Sequence, residues 1–352
     1  MSGIIYSVIA LSLLIFFHEL GHFIAARAFR VKVEVFSIGF GKKLFKKVWG
    51  GTEYCLSAIP LGGYVQMKGQ NDFNPNERSG DFDSYDTKAT WQRIIILFAG
   101  PFANFILAFF LYIWIGSLIA PLAPQIGGFS EDSVAKVAGI QVDDTIKTIN
   151  GIEVNIWQDI RKIINESSGE LDLTILRGSE LLNFKLTPLT VNDENIFQEK
   201  IQVKLIGISP SGASLDGYYK GLNGIKYAWD ELVFASTLTI KSLEKLIIGE
   251  VSPKNLGGII AIVDIGSTAV KTGLAAFLMI VAIISVNLGI LNLLPIPALD
   301  GGHIMFNLYE MIFRRAPNEK VFYYMTVAGW IFLLSLIFFT IYNDIARLLT
   351  GN

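Results

Sequence analysis

Four stretches of this sequence are long and apolar enough to cross about 30 Å of hydrocarbon, and they constrain the fold more than any other feature. They run from about Ile4 to Ala28, Ile94 to Ala120, Gly273 to Leu294 and Phe322 to Ile341. Charged residues make up only 17% of the chain and hydrophobic ones 52%, a balance that fits a membrane protein better than a soluble one. No Lys or Arg precedes the first apolar run and no small-x-small cleavage pattern follows it, so we read it as a retained span. The stretch YAWDELVFASTLTIKSLEKLIIG carries too many charges to cross; its helical spacing suits an amphipathic helix at the interface. A net charge of −2 and the lack of a polybasic tail give no basis for nucleic-acid binding. Cys55 is the sole cysteine, which excludes an internal disulfide.

The basic residues set the orientation. Arg27, Arg30, Lys32, Lys42, Lys43, Lys46 and Lys47 follow the first span, and Arg314, Arg315 and Lys320 follow the third. Both loops are expected in the cytoplasm, which puts the region between spans two and three outside. The expected organisation is a membrane part over 1–124, a small α+β domain over 125–190, a linker with the interfacial helix over 191–271, and a second membrane part over 272–352. Within the first cytoplasmic loop, TEYCLSAIPLGGYVQM holds two short strand-like runs around a Pro and two Gly, suggesting a β-hairpin over about 52–67. Its apolarity suggests that it dips into the membrane, where irregular backbone must face protein or a water-filled cavity. In the 125–190 region, VAGIQVDDTIKTINGIEV resembles a PDZ domain, and its Asn-Gly pair is a hairpin signal in its own right.

The chemistry sits in HELGH, residues 18–22. His18 and His22 are four apart on a helix, so they share one face and can bind one zinc ion, while Glu19 beside that face is placed to act as general base toward water. An ionisable side chain inside a span costs about 2.5–3.5 kcal/mol on insertion scales, so a pair of plain core histidines is a weak alternative here. Zinc needs a third protein ligand and leaves a fourth position open. The segment NLLPIPALDGGH after span three offers Asp300 and His303, and Pro295 and Pro297 must end the helix there. Spans one and three run in the same direction, so Asp300 reaches the depth of the histidine pair, near the cytoplasmic face.

Together FHELGHF, IPLGGYVQM, AGPFANF and NLLPIPALDGGH resemble the site-2 protease family of intramembrane zinc metalloproteases, most closely the bacterial branch that includes the regulator of sigma-E protease. The resemblance implies a multi-pass α-helical membrane protein with a re-entrant β-hairpin and an inserted extracytoplasmic PDZ-like domain, held in a bacterial inner membrane. It implies zinc as cofactor, His18, His22 and Asp300 as ligands, and Glu19 as catalytic acid/base. His303 in place of Asp300 is the alternative third ligand. Asn292 resembles a residue that helps hold substrate or the developing oxyanion. With Pro295 and Pro297, and with Tyr54, Leu61, Gly62 and Gly63 of the hairpin, it forms the candidate substrate-binding set. The implied partners are single-pass transmembrane substrates, the lipid bilayer, and a peptide or free C-terminus on the PDZ-like domain. Enteric relatives carry two tandem PDZ domains and this chain shows one; Ile259 stands where the family's Leu-Gly-Gly-Pro stretch has Pro. The rival reading is a transporter or proton-coupled channel with His18, Glu19 and Asp300 as a relay.

Overall fold

The computed structural model describes residues 2–70, 79–195, 197 and 199–350, without the side chains of residues 2, 60, 61, 255 and 350. Two compact units emerge, one of Met1–Ile115 with Lys226–Asn352, the other of Gly116–Ile225.

The first unit opens with α1 (Ser2–Ala28), which carries HELGH in its second half. Then come β1 (Val33–Trp49) and β2 (Thr52–Met67), joined at Gly50-Gly51, whose φ values of 58° and 82° suit a tight hairpin turn. This differs from a hairpin confined to 52–67. The two strand-like runs of β2 do not pair with each other; the start of β1 lies between them. Phe36 faces both Tyr54 and Val65, and Ile38 faces both Leu56 and Gly63, while Lys43 to Trp49 return along Ser57 to Thr52. Pro and Gly at 60, 62 and 63 mark a break within β2, while the reversal itself lies at the Gly pair before it.

Next is α2 (Thr90–Leu118), with Pro101 inside it. After the second unit the chain continues through α5 (Leu222–Ile248), α6 (Ile259–Thr272), α7 (Leu274–Asn292), α8 (Asp300–Phe313) and α9 (Glu319–Thr350). Of the described helices, α1, α2, α7 and α9 are long and apolar enough to cross a membrane, matching the four expected spans and a multi-pass membrane protein. Ala10 and Leu14 of α1, Leu107 and Leu111 of α2, and Val281 and Ile284 of α7 form one apolar cluster. Small and hydroxyl residues let backbones approach, as membrane helices require. The Ser7 hydroxyl of α1 donates to Val263 O of α6 at 3.3 Å, and Ser285 Oγ of α7 donates to Asn104 O of α2 at 2.8 Å.

Helix α6 falls within the stretch expected to be linker. At 14 residues it is too short to cross a bilayer. Ile259 is its first residue, the position that favours Pro for its fixed φ. Without that Pro, the helix start is held from α9: the buried Asp344 carboxylate accepts from the amides of Gly258, Ile260 and Ala261 at 2.9, 3.0 and 3.2 Å. A carboxylate on free N–H groups at a helix start stabilises it.

The second unit holds β3 (Ile126–Phe129), α3 (Val134–Val137), β4 (Thr145–Ile149), β5 (Ile152–Glu153), α4 (Trp157–Glu166), β6 (Leu171–Arg177), β7 (Glu180–Leu186), β8 (Leu189–Glu194), β9 (Lys200–Leu205) and β10 (Ile208–Pro210). A sheet ordered β5-β4-β6-β7 packs α4 against itself through Ile160, Ile163 and Ile164, with Ile146, Leu173 and Ile175 opposite. Strand β10 pairs with β3 and Ile206 enters the same core, so the chain past residue 190 folds back into this unit.

One ion pair ties its sheet: Asp144, 1% exposed, accepts from the half-buried Arg177 at 2.8 Å through both oxygens. Burial alone pushes the Asp144 carboxyl up, but the Arg177 hydrogen bonds and the Gln141 amide outweigh it and hold it below the usual range. A depressed carboxyl adds stability that is complete above its unfolded pKa of about 3.9 and fades as pH falls through the lower folded value. Arg177→Met is therefore expected to destabilise this unit at pH 7, with the difference from wild type shrinking as pH falls below about 3.9. Hydrogen exchange of the β4 and β6 amides against pH checks it.

Candidate metal centre

The site is built where α1, α2 and the start of α8 meet. Helical spacing of four puts His18 and His22 one above the other on α1, and both are buried. Asp300 comes from the first turn of α8. The segment between α7 and α8 turns tightly, with Ile296 N donating to Leu294 O at 2.7 Å and Leu299 N to Ile296 O at 2.8 Å. Gly301 and Gly302 let α8 start against that backbone, since a Cβ on either would lie 2.3 Å from a carbonyl oxygen of Leu293 or Ile296.

Three donor atoms converge. His18 Nε2 lies 3.2 Å from His22 Nε2, and Asp300 Oδ2 lies 3.1 Å from the first and 3.4 Å from the second. Zinc bonded at about 2.0–2.1 Å in a tetrahedron separates its ligands by about 3.3 Å, so the spacing fits the ion. Asp300 Oδ2 is buried and, despite these short contacts, has no partner in hydrogen-bond geometry. Three donor atoms this close, with Asp300 Oδ2 left unpartnered, suit a cation held among them. Among the described residues, His18, His22 and Asp300 form the one group able to hold a metal ion.

The neighbours orient these groups. His22 Nδ1 lies 2.9 Å from Ile96 O, and a carbonyl only accepts, so Nδ1 carries the ring hydrogen and Nε2 keeps its lone pair. His18 Nδ1 lies 3.0 Å from Nδ2 of the Asn104 side-chain amide, which is fully buried. Space for His22 comes from Gly100, where a Cβ would sit 2.2 Å from Nε2. Ile96, Gly100 and Asn104 are four apart, so one face of α2 serves both histidines. Gly63 packs on the Glu19 Cγ, with the Val65 amide of β2 near the carboxylate. This brings the β2 edge beside the carboxylate.

The remaining sequence candidates divide. Asn292 ends α7 and its Nδ2 donates to Leu288 O at 3.0 Å, leaving one of two amide hydrogens for another acceptor. Pro295 and Pro297 shape the turn before Asp300. Gly62 packs against the Phe40 ring. Tyr54 stands among Phe23, Phe36 and Trp49 at 6.0 to 6.3 Å, on a groove of about 540 Å³ that also takes Phe16 and Leu56. The Leu61 side chain lies outside the described residues. His303 lies toward Phe322 of α9, with ring centres 5.9 Å apart, outside the three-residue group. Asn104 belongs to the AGPFANF stretch, which by itself assigns it no role. A buried amide within an apolar span is the signal that marks it.

The family model described as Peptidase family M50 matches residues 6–336. A Campylobacter jejuni protein named as a zinc metalloprotease is 51% identical over 344 residues, covering 97% of this chain and 93% of its own. A Helicobacter pylori protein, likewise named as a zinc metalloprotease, is 39% identical over 352 residues, with 98% and 99% covered. The regulator of sigma E protease of Haemophilus influenzae is 31% identical over 436 aligned positions, with 97% and 98% covered. Those 436 positions exceed the 352 residues here, so that relative carries sequence with no counterpart in this chain.

Proposed function

Because the chain belongs to peptidase family M50 and is a zinc metalloprotease, we propose that it hydrolyses a peptide bond within or near the transmembrane helix of single-pass membrane proteins. The carrying observation is that HELGH lies in the second half of a 27-residue helix apolar enough to cross a membrane, with Asp300 converging on it. His18, His22 and Asp300 hold the ion in this reading, and Glu19 takes a proton from water and returns it to the leaving amine. Bound zinc supplies Lewis acidity, making water acidic enough to lose its proton near neutral pH and polarising the scissile carbonyl. Asn292 offers its remaining N–H to the carbonyl oxygen as charge develops there. Anti-sigma factors and signal-peptide remnants are the substrate classes suggested by the relatives' branch.

A helical substrate hides each peptide bond in its own ladder and must unwind before attack. The β2 run from Gly63 to Met67 pairs with β1 on one side and meets Glu19 through the Val65 amide. An unwound strand pairing on that edge regains ladder bonds beside the general base. Exposed Phe40, Leu44, Phe45, Val48, Trp49 and Ile59 support a β-element that dips into the membrane, with Lys42, Lys43, Lys46 and Lys47 at the headgroups. The basic loops support a bacterial inner-membrane orientation with the second unit, read as PDZ-like, outside the cytoplasm. Its role there is to filter substrates or bind a peptide end. Tyr64→Asp on the β2 edge is expected to slow cleavage about tenfold with zinc content unchanged; chain cleavage and metal analysis of the same sample check this.

The test is reconstitution in liposomes with a single-pass reporter helix and mass mapping of the products. The reading expects zinc-dependent scission within or at the edge of the apolar stretch. Cleavage confined to a water-exposed segment far from the helix would contradict it.

A further inference from the structure

On the zinc site proposed above, we infer that Asn104 is a positioning residue: its side-chain oxygen accepts the Nδ1 hydrogen of His18 and thereby leaves Nε2 bare for the metal. The two groups lie 3.0 Å apart, and Asn104 is wholly buried in the middle of α2. A neutral imidazole carries one ring hydrogen. If Nε2 is to bind an ion, that hydrogen sits on Nδ1 and needs an acceptor. Asn104 is the one side chain paired with that atom among the described residues, and it lies with Nδ2 toward the ring.

An amide has two ends of equal shape, and half a turn about its last bond exchanges them. With the nitrogen toward His18 the hydrogen would be forced onto Nε2, among the converging donors. That is the orientation in the structure, and it leaves Oδ1 buried without a partner; exchanging the two ends gives Oδ1 the Nδ1 hydrogen of His18. No competing donor therefore holds the amide against turning, and His18 decides which end it meets. The position of Asn104 is itself fixed, because Ser285 of α7 donates to its backbone carbonyl at 2.8 Å. The other histidine is served in the same way from the same face: the Ile96 carbonyl takes the Nδ1 hydrogen of His22 at 2.9 Å. One face of α2 thus sets the tautomer of both rings. Outer partners of metal-bound histidines are worth about 10–100-fold in metal affinity.

The experiment measures zinc affinity by chelator competition on the full chain in detergent, for wild type, Asn104→Asp, Asn104→Leu and His18→Ala. Asp can only accept, so Asn104→Asp is expected to bind zinc within about threefold of wild type, or tighter. Asn104→Leu keeps the volume without the acceptor, and is expected to bind about 10–100-fold more weakly. Wild-type affinity in Asn104→Leu, or an equal loss in both variants, overturns the inference. Should Asn104→Leu fail to fold, Asn104→Asp alone decides, a tenfold loss overturning it. Undiminished zinc binding by His18→Ala defeats the underlying site. Zinc lost from His18→Ala but kept by Asn104→Leu defeats the Asn104 role alone.

Discussion

Glu19→Gln is expected to lower peptide-bond hydrolysis by about 10³-fold or more while leaving zinc content at the wild-type level. The two halves of this result have separate causes. Glu19 is not among the three atoms that converge on the ion, so its removal leaves the donor set intact. Gln has nearly the same shape and keeps an oxygen for the Val65 amide that meets Glu19. What it cannot do is take a proton and give it back, and that service is worth about 10²–10⁴-fold in rate. Initial rates on a single-pass substrate, with metal analysis of the same preparation, decide the matter. A variant keeping a tenth of wild-type activity would remove Glu19 from the role of general base. A variant that lost its zinc would make Glu19 a ligand instead.

Gly100→Ala is expected to lower hydrolysis roughly 10²-fold by a different route. Its Cβ would lie 2.2 Å from His22 Nε2 and 2.5 Å from Cε1, well inside any tolerated contact. The ring cannot turn aside freely, because Nδ1 is held by the Ile96 carbonyl. Nor can α1 and α2 simply part: they touch so closely at Gly21 that a Cβ there would come within 2.1 Å of Ala99 O. Overpacking of this kind costs about 1–3 kcal/mol, which a stable membrane unit survives. The ligand does not survive in place. Displacement by about 1 Å is worth roughly 10²-fold in rate, and zinc affinity is expected to fall at least tenfold with it. Activity and zinc affinity should decline together, unlike Glu19→Gln, where only activity declines.

Much of this was legible in the sequence because membranes simplify the code. Apolar length alone marks α1, α2, α7 and α9, since a span must satisfy its backbone internally. The i, i+4 spacing of His18 and His22 places both on one face, and parallel spans bring Asp300 to their depth. The rest depends on contacts that no local pattern carries. Helix α6 is too short to announce itself by apolar length, and its start rests on Asp344, 86 residues away from Gly258. The β1–β2 arrangement needs the register in which Phe36 meets both Tyr54 and Val65, and strand propensity says nothing about a partner. Asn104 reads as one polar residue in an apolar helix until its distance to His18 gives it a task. Gly100 likewise looks like an ordinary small residue of a membrane helix until His22 is seen against it.

Zinc content of the purified Asp300→Ala protein tests the convergence of α1 and α8 most directly. Asp300 is 278 residues from His22 in the chain, and nothing but the fold brings them within 3.4 Å. Wild type should hold about one zinc per chain, and Asp300→Ala should lose it to a chelator that wild type resists. Stoichiometric zinc of unchanged affinity in Asp300→Ala would show that the histidine pair binds its ion without α8.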